Sequence, residues 1–486
     1  MSKTVRIVII VGVVLVAVPA LMIRGQRSRR VTALAAYKAE LRARGEKLSA
    51  EELGYPRPPE SSSNLDLLLA GVSQLGSAQF EPGMLELMHF VSAGRAEVAW
   101  AQPQLGMIST RVANTNAATW EIFSAQFETA ANALQDIRFA LQVPPRYFFN
   151  DPTNFANPSK APFVQLRTAA QWLMGDAIAA LHASQLDRAR GDIHALTQLA
   201  QFHREDLTLV SQMIRTAIAG LGLETTWEAL QAPGWSEENL ATMQKDWEAV
   251  DLVDVFEKGM VGERAFGEAY FNYMRSLSPR QRAAATRFGN TSGRRSAEDF
   301  FNELVGWPLW AANSETDEAF YLRHLQNNLD AYRQLQRGTP WPVVSQQIGT
   351  NVLGLDAVLS NPMTRYRHFL SGFLMPNYIR AGRTCIRNET QRRLTLTAIA
   401  LERFRLRNGK FPTELDPLVP QFLSAMPIDL MSAKPLRYRL NADGSFTLYS
   451  VGEDGRDDGG DPSALNVTNR FGLWEGRDAV WPAAAK

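Results

Sequence analysis

The sequence predicts a mainly α protein in three parts. These are a single N-terminal transmembrane helix, a large antiparallel helical domain and a small C-terminal α+β module with a β-hairpin. Three observations carry this reading. Ile7 to Ile23 is an uncharged run of 17 residues. From about 31 to 385, apolar residues recur three and four apart, the helical period. After 386 the pattern turns to short alternating stretches around Asp443-Gly444, a hairpin signal. The expected divisions are 1–30 for the anchor and its basic flanks, 31–385 for the helical domain with a linker near 49–63, and 386–486 for the terminal module.

The apolar run is at the short end of what spans a bilayer. A helix suits it, because in lipid every backbone group must pair internally. Lys3 and Arg6 precede the run, and Arg24, Arg27, Arg29 and Arg30 follow it. Residues 7–23 are therefore read as a membrane anchor, with the lipid bilayer as partner. A cleaved signal peptide is the alternative, with Val18-Pro19-Ala20 as a weak cleavage site. The basic flanks, two before and four after, favour a cytoplasmic body. A long domain behind an N-terminal anchor is more often exported.

The 486 residues carry 51 Lys+Arg against 50 Asp+Glu, a formal charge of +1. That balance argues against nucleic-acid binding through a broad basic surface. One cysteine, Cys385, excludes an intramolecular disulfide framework and any Cys-rich zinc module.

The helical region is read in order. Val31 to Arg44 continues from the anchor as a polar helix, and Ser49 to Ser63 reads as a linker or extended arm. Asn64 to Leu75 restarts an apolar run, and Thr119 to Leu141 is helical. Asn150 to Pro162 is a loop. Phe163 to Leu230 gives three helices with turns near Ser184–Arg190 and His203–Asp206, the pattern of antiparallel helices on short loops. Ser236 before Glu237 reads as an N-cap. Residues 279–299, basic and polar, read as an exposed loop. Trp307, Trp310 and Trp341 are expected in packing.

No phosphate-binding, dinucleotide, zinc-protease or nucleophile-elbow motif is present. His182, His194 and His203 fall on successive helical stretches, and surface or packing roles are the expected ones. Glu263 and Arg264 read as an ion pair within a helix bundle.

In the terminal part, Arg392 to Asn408 is an amphipathic helix with Leu394, Ala398, Leu401 and Phe404 on one face. Asn408-Gly409 stops it. Thr413 caps a short helix that turns Leu415, Leu418, Phe422 and Leu423 inward. Strands follow at Pro435–Leu440 and Phe446–Val451, and then an acidic, glycine-rich loop from Gly452 to Asp461.

Asn408, Gly409, Phe411, Pro412, Thr413, Asp429, Tyr438, Ser450, Gly452, Asp454 and Gly455, in this order, resemble the C-terminal region of the major pseudopilins of type II secretion. The likeness covers about 392–462. Two departures separate the chain from a pilin subunit. The N-terminus lacks a prepilin-peptidase site, and hundreds of helical residues intervene. Met431-Ser432-Ala433 also replaces the family's Trp-Gly. The whole chain looks like a bacterial membrane-anchored protein with a pseudopilin-like end. The resemblance implies an extracytoplasmic C-terminus and a calcium-binding acidic loop. The residue chemistry allows structural calcium at Ser450, Asp454, Asp457, Asp458 and Asp461, since calcium takes six to eight hard oxygen ligands. A solvated acidic loop is the alternative.

The preferred function is a non-enzymatic, membrane-anchored structural or protein-interaction role in the bacterial envelope, with a secretion-related role in view. It places a single-pass protein in the cytoplasmic membrane with most of the chain outside the cytoplasm. The alternative is an extracytoplasmic hydrolase with a site between helices, using the three histidines or Glu263. A third arrangement keeps the body in the cytoplasm.

Overall fold

Apolar residues at helical spacing build most of this protein, and the computed structural model is mainly helical with three small sheets. It describes residues 26–54, 62–76, 85–105, 119–145, 161–202, 204–286, 302–375, 378–465 and 471–485. The expected span at 7–23 lies outside these residues. Among those described, no helix is long and apolar enough to cross a membrane.

A first helix, α1, covers 26–43 and is followed by α2 (Ala50–Leu53). Half of the expected linker is thus structured. Ser49 caps α2, accepting from the Glu52 N–H, and Gly54 ends it at φ 61°, a left-handed conformation that glycine adopts without strain. Helix α3 (Ser63–Gly76) matches the apolar run from Asn64. A hairpin then forms from β1 (His89–Ser92) and β2 (Arg95–Glu97), turning at Gly94 (φ 70°). The expected helix over 119–141 is two, α4 (Trp120–Thr129) and α5 (Ala131–Gln142), broken at Ala130.

Helices α6 (Phe163–His182), α7 (Leu186–Gln201) and α8 (Leu209–Leu230) pack on one another. Alanine at buried sites such as Ala169, Ala170, Ala177 and Ala180 lets the backbones approach closely. Ser236 does cap α9 (Glu237–Glu248), accepting from the Asn239 N–H at 3.1 Å. Helix α10 (Val253–Ser276) follows. The start of the expected loop 279–299 is helix α11 (Pro279–Ala285), set by a capping box between Ser278 and Gln281 with proline in its first turn. Residues 287–301 lie outside the described set.

Helix α12 (Trp307–Gln336) packs against α10 and against α13 (Trp341–Ser360). Trp307, Trp310 and Trp341 are all core residues, as expected. Two short helices, α14 (Pro362–Arg365) and α15 (Phe369–Leu374), lead to α16 (Tyr378–Asn408). The boundary expected at 385/386 falls inside α16, which is one continuous helix. It packs on α8, α9, α10 and α13, and also on the terminal strands.

Beyond α16 the chain stops at Gly409 (φ 76°). The expected short helix opening at Thr413 is only a 3-10 turn at Asp416–Leu418. Leu415, Leu418, Phe422 and Leu423 are buried, as the pattern required. A small ladder of β3 (Ile428–Asp429) and β4 (Lys434–Pro435) precedes the hairpin of β5 (Arg437–Leu440) and β6 (Phe446–Ser450), in register Leu440 opposite Phe446. Strand β7 (Ala479–Val480) joins that hairpin, and β8 (Ala483–Ala484) pairs in parallel with β2. The last residues therefore stitch both sheets to the helices. Buried Trp227 of α8 donates its Nε1–H to the Pro482 carbonyl at 3.0 Å.

Close approach fixes α10 against the turn before α8. A Cβ on Gly262 would sit 1.9 Å from the Leu207 carbonyl oxygen, whereas one on Gly191 of α7 would meet nothing within 4 Å. Denaturant unfolding should show Gly262→Ala destabilised by about 1–3 kcal/mol. Gly191→Ala should be neutral or more stable by about 0.5–1 kcal/mol. Equal midpoints for the two variants would contradict this packing.

Candidate functional site

The acidic loop is organised by a carboxylate from outside it. Asp478, buried just before β7, accepts backbone N–H bonds from Gly460 (2.7 Å), Asp461 (3.0 Å) and Asp458 (3.4 Å). Asp457 accepts from Arg437 Nε at 2.8 Å and from the Tyr449 hydroxyl at 3.0 Å, and the Arg437 guanidinium holds its carboxyl below the usual range. Asp454 accepts from the Arg456 N–H, and Asp461 from the N–H and hydroxyl of Ser463. Asp458 faces Arg477 at 3.9 Å.

Ser450 points elsewhere, donating its hydroxyl to Asp429 at 2.7 Å. Asp429 is itself buried and accepts from the Met431 and Val451 N–H groups at 3.0 and 3.1 Å. It thereby ties the 428–432 segment to the end of β6. The five expected calcium ligands are thus divided between separate partners. Among the described residues no three or more His, Cys, Asp or Glu side chains form a metal-holding group. As placed, these side chains are held by separate partners, and Asp478 and Arg437 shape the loop.

The histidines are also divided. His182 Nδ1 lies 2.8 Å from the Trp100 carbonyl, and its ring stacks on Trp120 with centroids 3.8 Å apart. His194 on α7 pairs with Asp246 on α9 at 2.9 Å. His203 lies outside the described residues. Glu263 does not pair with Arg264. It accepts from the Leu209 N–H at 2.8 Å at the start of α8, while Arg264 reaches Glu46 at 2.8 Å and also Gln326.

A feature not legible in the sequence is a cleft beside the β1–β2 hairpin, lined by residues from Leu85 to Leu105. Its volume is about 330 Å³, and Glu86, His89, Glu97 and Gln102 supply its polar lining. His89 and Glu86 are 3.2 Å apart. Glu228 of α8 holds the hairpin from beneath, accepting from the Ala99 N–H at 2.9 Å and the Met88 N–H at 3.3 Å. Burial pushes the Glu228 carboxyl up to about 8 against the opposing pull of these donors. Glu224, one turn earlier, is pushed up to about 7 by burial and by Glu86. Raised in this way, these carboxyls keep protons near neutral pH.

Two expectations follow. Asp478→Ala strips the partner from three loop N–H groups and should cost about 1–3 kcal/mol in a thermal or denaturant melt. Chelator should not reproduce the loss, and a chelator-dependent midpoint in the parent protein would restore calcium as the organiser.

The buried carboxyls set a pH dependence. Glu224 and Glu263 rise from 4.5 to about 7 and Glu228 to about 8. Between 4.5 and these values the folded chain keeps protons that the unfolded chain has lost. Their contribution is therefore complete below about 4.5 and falls as pH rises toward 8. Glu224→Gln should flatten this fall by up to about 1.4 kcal/mol per pH unit. Urea midpoints at pH 5, 6, 7 and 8 check it, and an unchanged slope would count against a protonated Glu224.

No protein-family model, curated protein or solved structure matches this chain, so its functional reading rests on its own residues.

Proposed function

We propose that this is a membrane-anchored, non-enzymatic structural or protein-interaction protein of the bacterial envelope. In this reading residues 7–23 hold it in the cytoplasmic membrane and most of the chain lies outside the cytoplasm. The observation that carries the reading is where α1 enters the body. Arg27 reaches Glu315 at 3.7 Å, and Arg30 donates to the Ala312 carbonyl at 2.8 Å. The chain thus arrives from the apolar run at the N-terminal end of α12.

That same end exposes Leu304 (59%), Leu309 (41%) and Phe373 (41%). Phe369 of α15 packs edge-on against Trp307, which keeps α15 beside the start of α12. Arg29 on α1, and Arg365 and Arg367 on the segment leading into α15, are also exposed. Exposed apolar side chains together with exposed arginines suit the headgroup layer of an anionic bilayer. The separate engagement of His182 and His194 supports a non-enzymatic role over a hydrolase. A place beside a secretion assembly rests on the pseudopilin resemblance alone.

The full chain should be reconstituted in phosphatidylcholine–phosphatidylglycerol vesicles with an environment-sensitive dye at Leu309→Cys. The native Cys385 is buried. Brominated lipid should quench this dye strongly and should leave a dye at Val164→Cys, on the exposed face of α6, largely unquenched. Equal quenching at the two sites would overturn the membrane-facing assignment. A reporter enzyme active only outside the cytoplasm, fused after Lys486, should be active, and a silent but expressed fusion would reverse the orientation.

A further inference from the structure

Where the turn after α7 meets the turn before α10, a cavity of about 400 Å³ is lined by Gln201, Arg204, Glu205, Arg215, Asp251 and Lys258, among others. Arg215 of α8 is its floor and is only 2% exposed. Among the described residues its guanidinium has no hydrogen-bond partner and no carboxylate within ion-pair distance, and its Nε is wholly enclosed.

The acids that could serve it are committed elsewhere or too far. Glu389 is bonded by Arg392 and Arg393. Asp251 lines the same cavity but accepts from the Asp254 N–H. The Cys385 thiol is pushed up to about 12 by burial and stays neutral. Burial lowers Arg215 only to about 10, so it remains a cation at neutral pH. Arg204 and Lys258, both exposed, stand at the rim with no ion-pair partner among the described residues.

We propose that this cavity is a binding site for a small molecule bearing an oxyanion, a phosphate or carboxylate group, seated on Arg215 and flanked by Arg204 and Lys258. A planar guanidinium presents paired N–H donors that match either group in a two-pronged bond. A buried charge without a partner is unfavourable for the fold, so the empty-handed guanidinium is explained by a partner that arrives in solution. The cavity is far larger than a single oxyanion, which leaves room for an organic remainder.

The test uses the full chain in detergent. Inorganic phosphate and succinate are titrated separately in thermal melts, against sodium chloride at matched ionic strength. At least one oxyanion should raise the Tm progressively with concentration, and the effective one identifies the group. Lys258→Ala, an exposed change that leaves the core intact, should weaken the response about tenfold or more. Arg215→Met should abolish the response and raise the Tm of the ligand-free protein. No rise beyond chloride with either probe would overturn the proposal. So would a Lys258→Ala response equal to the parent's, which keeps the test decisive should Arg215→Met fail to fold.

Discussion

The structure depends on one helix that is buried on nearly every side although its sequence is polar. Helix α16 places Cys385, Ile386 and Ile399 in the large core, and Leu394, Ala398 and Leu401 in the smaller one beneath the terminal strands. Between them Glu389, Thr390, Gln391, Thr395 and Thr397 are also buried. Such a helix is stable only if most of its buried polar groups find partners inside the protein, and here the Thr390 hydroxyl is the exception among these five. Thr395 and Thr397 bond back to the carbonyls of Gln391 and Arg393. Glu389 takes Arg392 and Arg393, and Arg392 continues to the Trp247 carbonyl of α9 at 2.8 Å. Arg393 also donates to the Ile428 carbonyl of β3 at 2.7 Å, so these bonds join the terminal strands to the helical body through α16.

That continuity explains which features could be read from the sequence. The run from Phe163 to Leu230 was legible because its Ala and Leu positions follow the helical period. Ser236 was legible as a cap because a cap is local chemistry, and so was the Asp443-Gly444 turn. The continuity of α16 across the expected boundary was not, because at Glu389, Thr390 and Gln391 its buried face is polar and breaks the apolar pattern. The β1–β2 hairpin was missed for a related reason. Its strands are three and four residues long, and it is held by Glu228, more than a hundred residues later. In the acidic loop the residue types were plain, but their partners were not. Asp478 and Arg437, which decide what those carboxylates do, lie outside the run that drew notice.

Buried charge is handled in two ways across the helical body. Where an acid and a base come from different helices, they are paired. Arg138 bridges Asp176 and Asp192, and Glu46, in the turn after α1, receives Arg264 and Arg333 from α10 and α12. The latter arginines hold the Glu46 carboxyl down at about 2. Where an acid has no base beside it, as at Glu224, Glu228 and Glu263, burial raises the carboxyl until it keeps its proton. A carboxyl can thus escape the penalty of burial by becoming neutral.

An arginine has no such escape, because its guanidinium stays protonated in proteins. Among the described residues three arginines are buried. Arg264 is met by Glu46 and Gln326. Arg282 gives its N–H groups to the carbonyls of Met274 and Arg275 and lies over the Trp310 ring. Arg215 alone of the three has neither carboxylate nor carbonyl, and it alone lines a cavity with two further cations at the rim. The other two are satisfied by different means within the fold, whereas Asp251, which lines the same cavity as Arg215, is beyond ion-pair distance of it and is bonded by the Asp254 N–H. Arg215 is therefore the buried guanidinium that the proposed oxyanion would satisfy. The polar interior that makes α16 possible and the unpaired cation beside it are therefore consequences of the same rule, applied once inward and once toward a ligand.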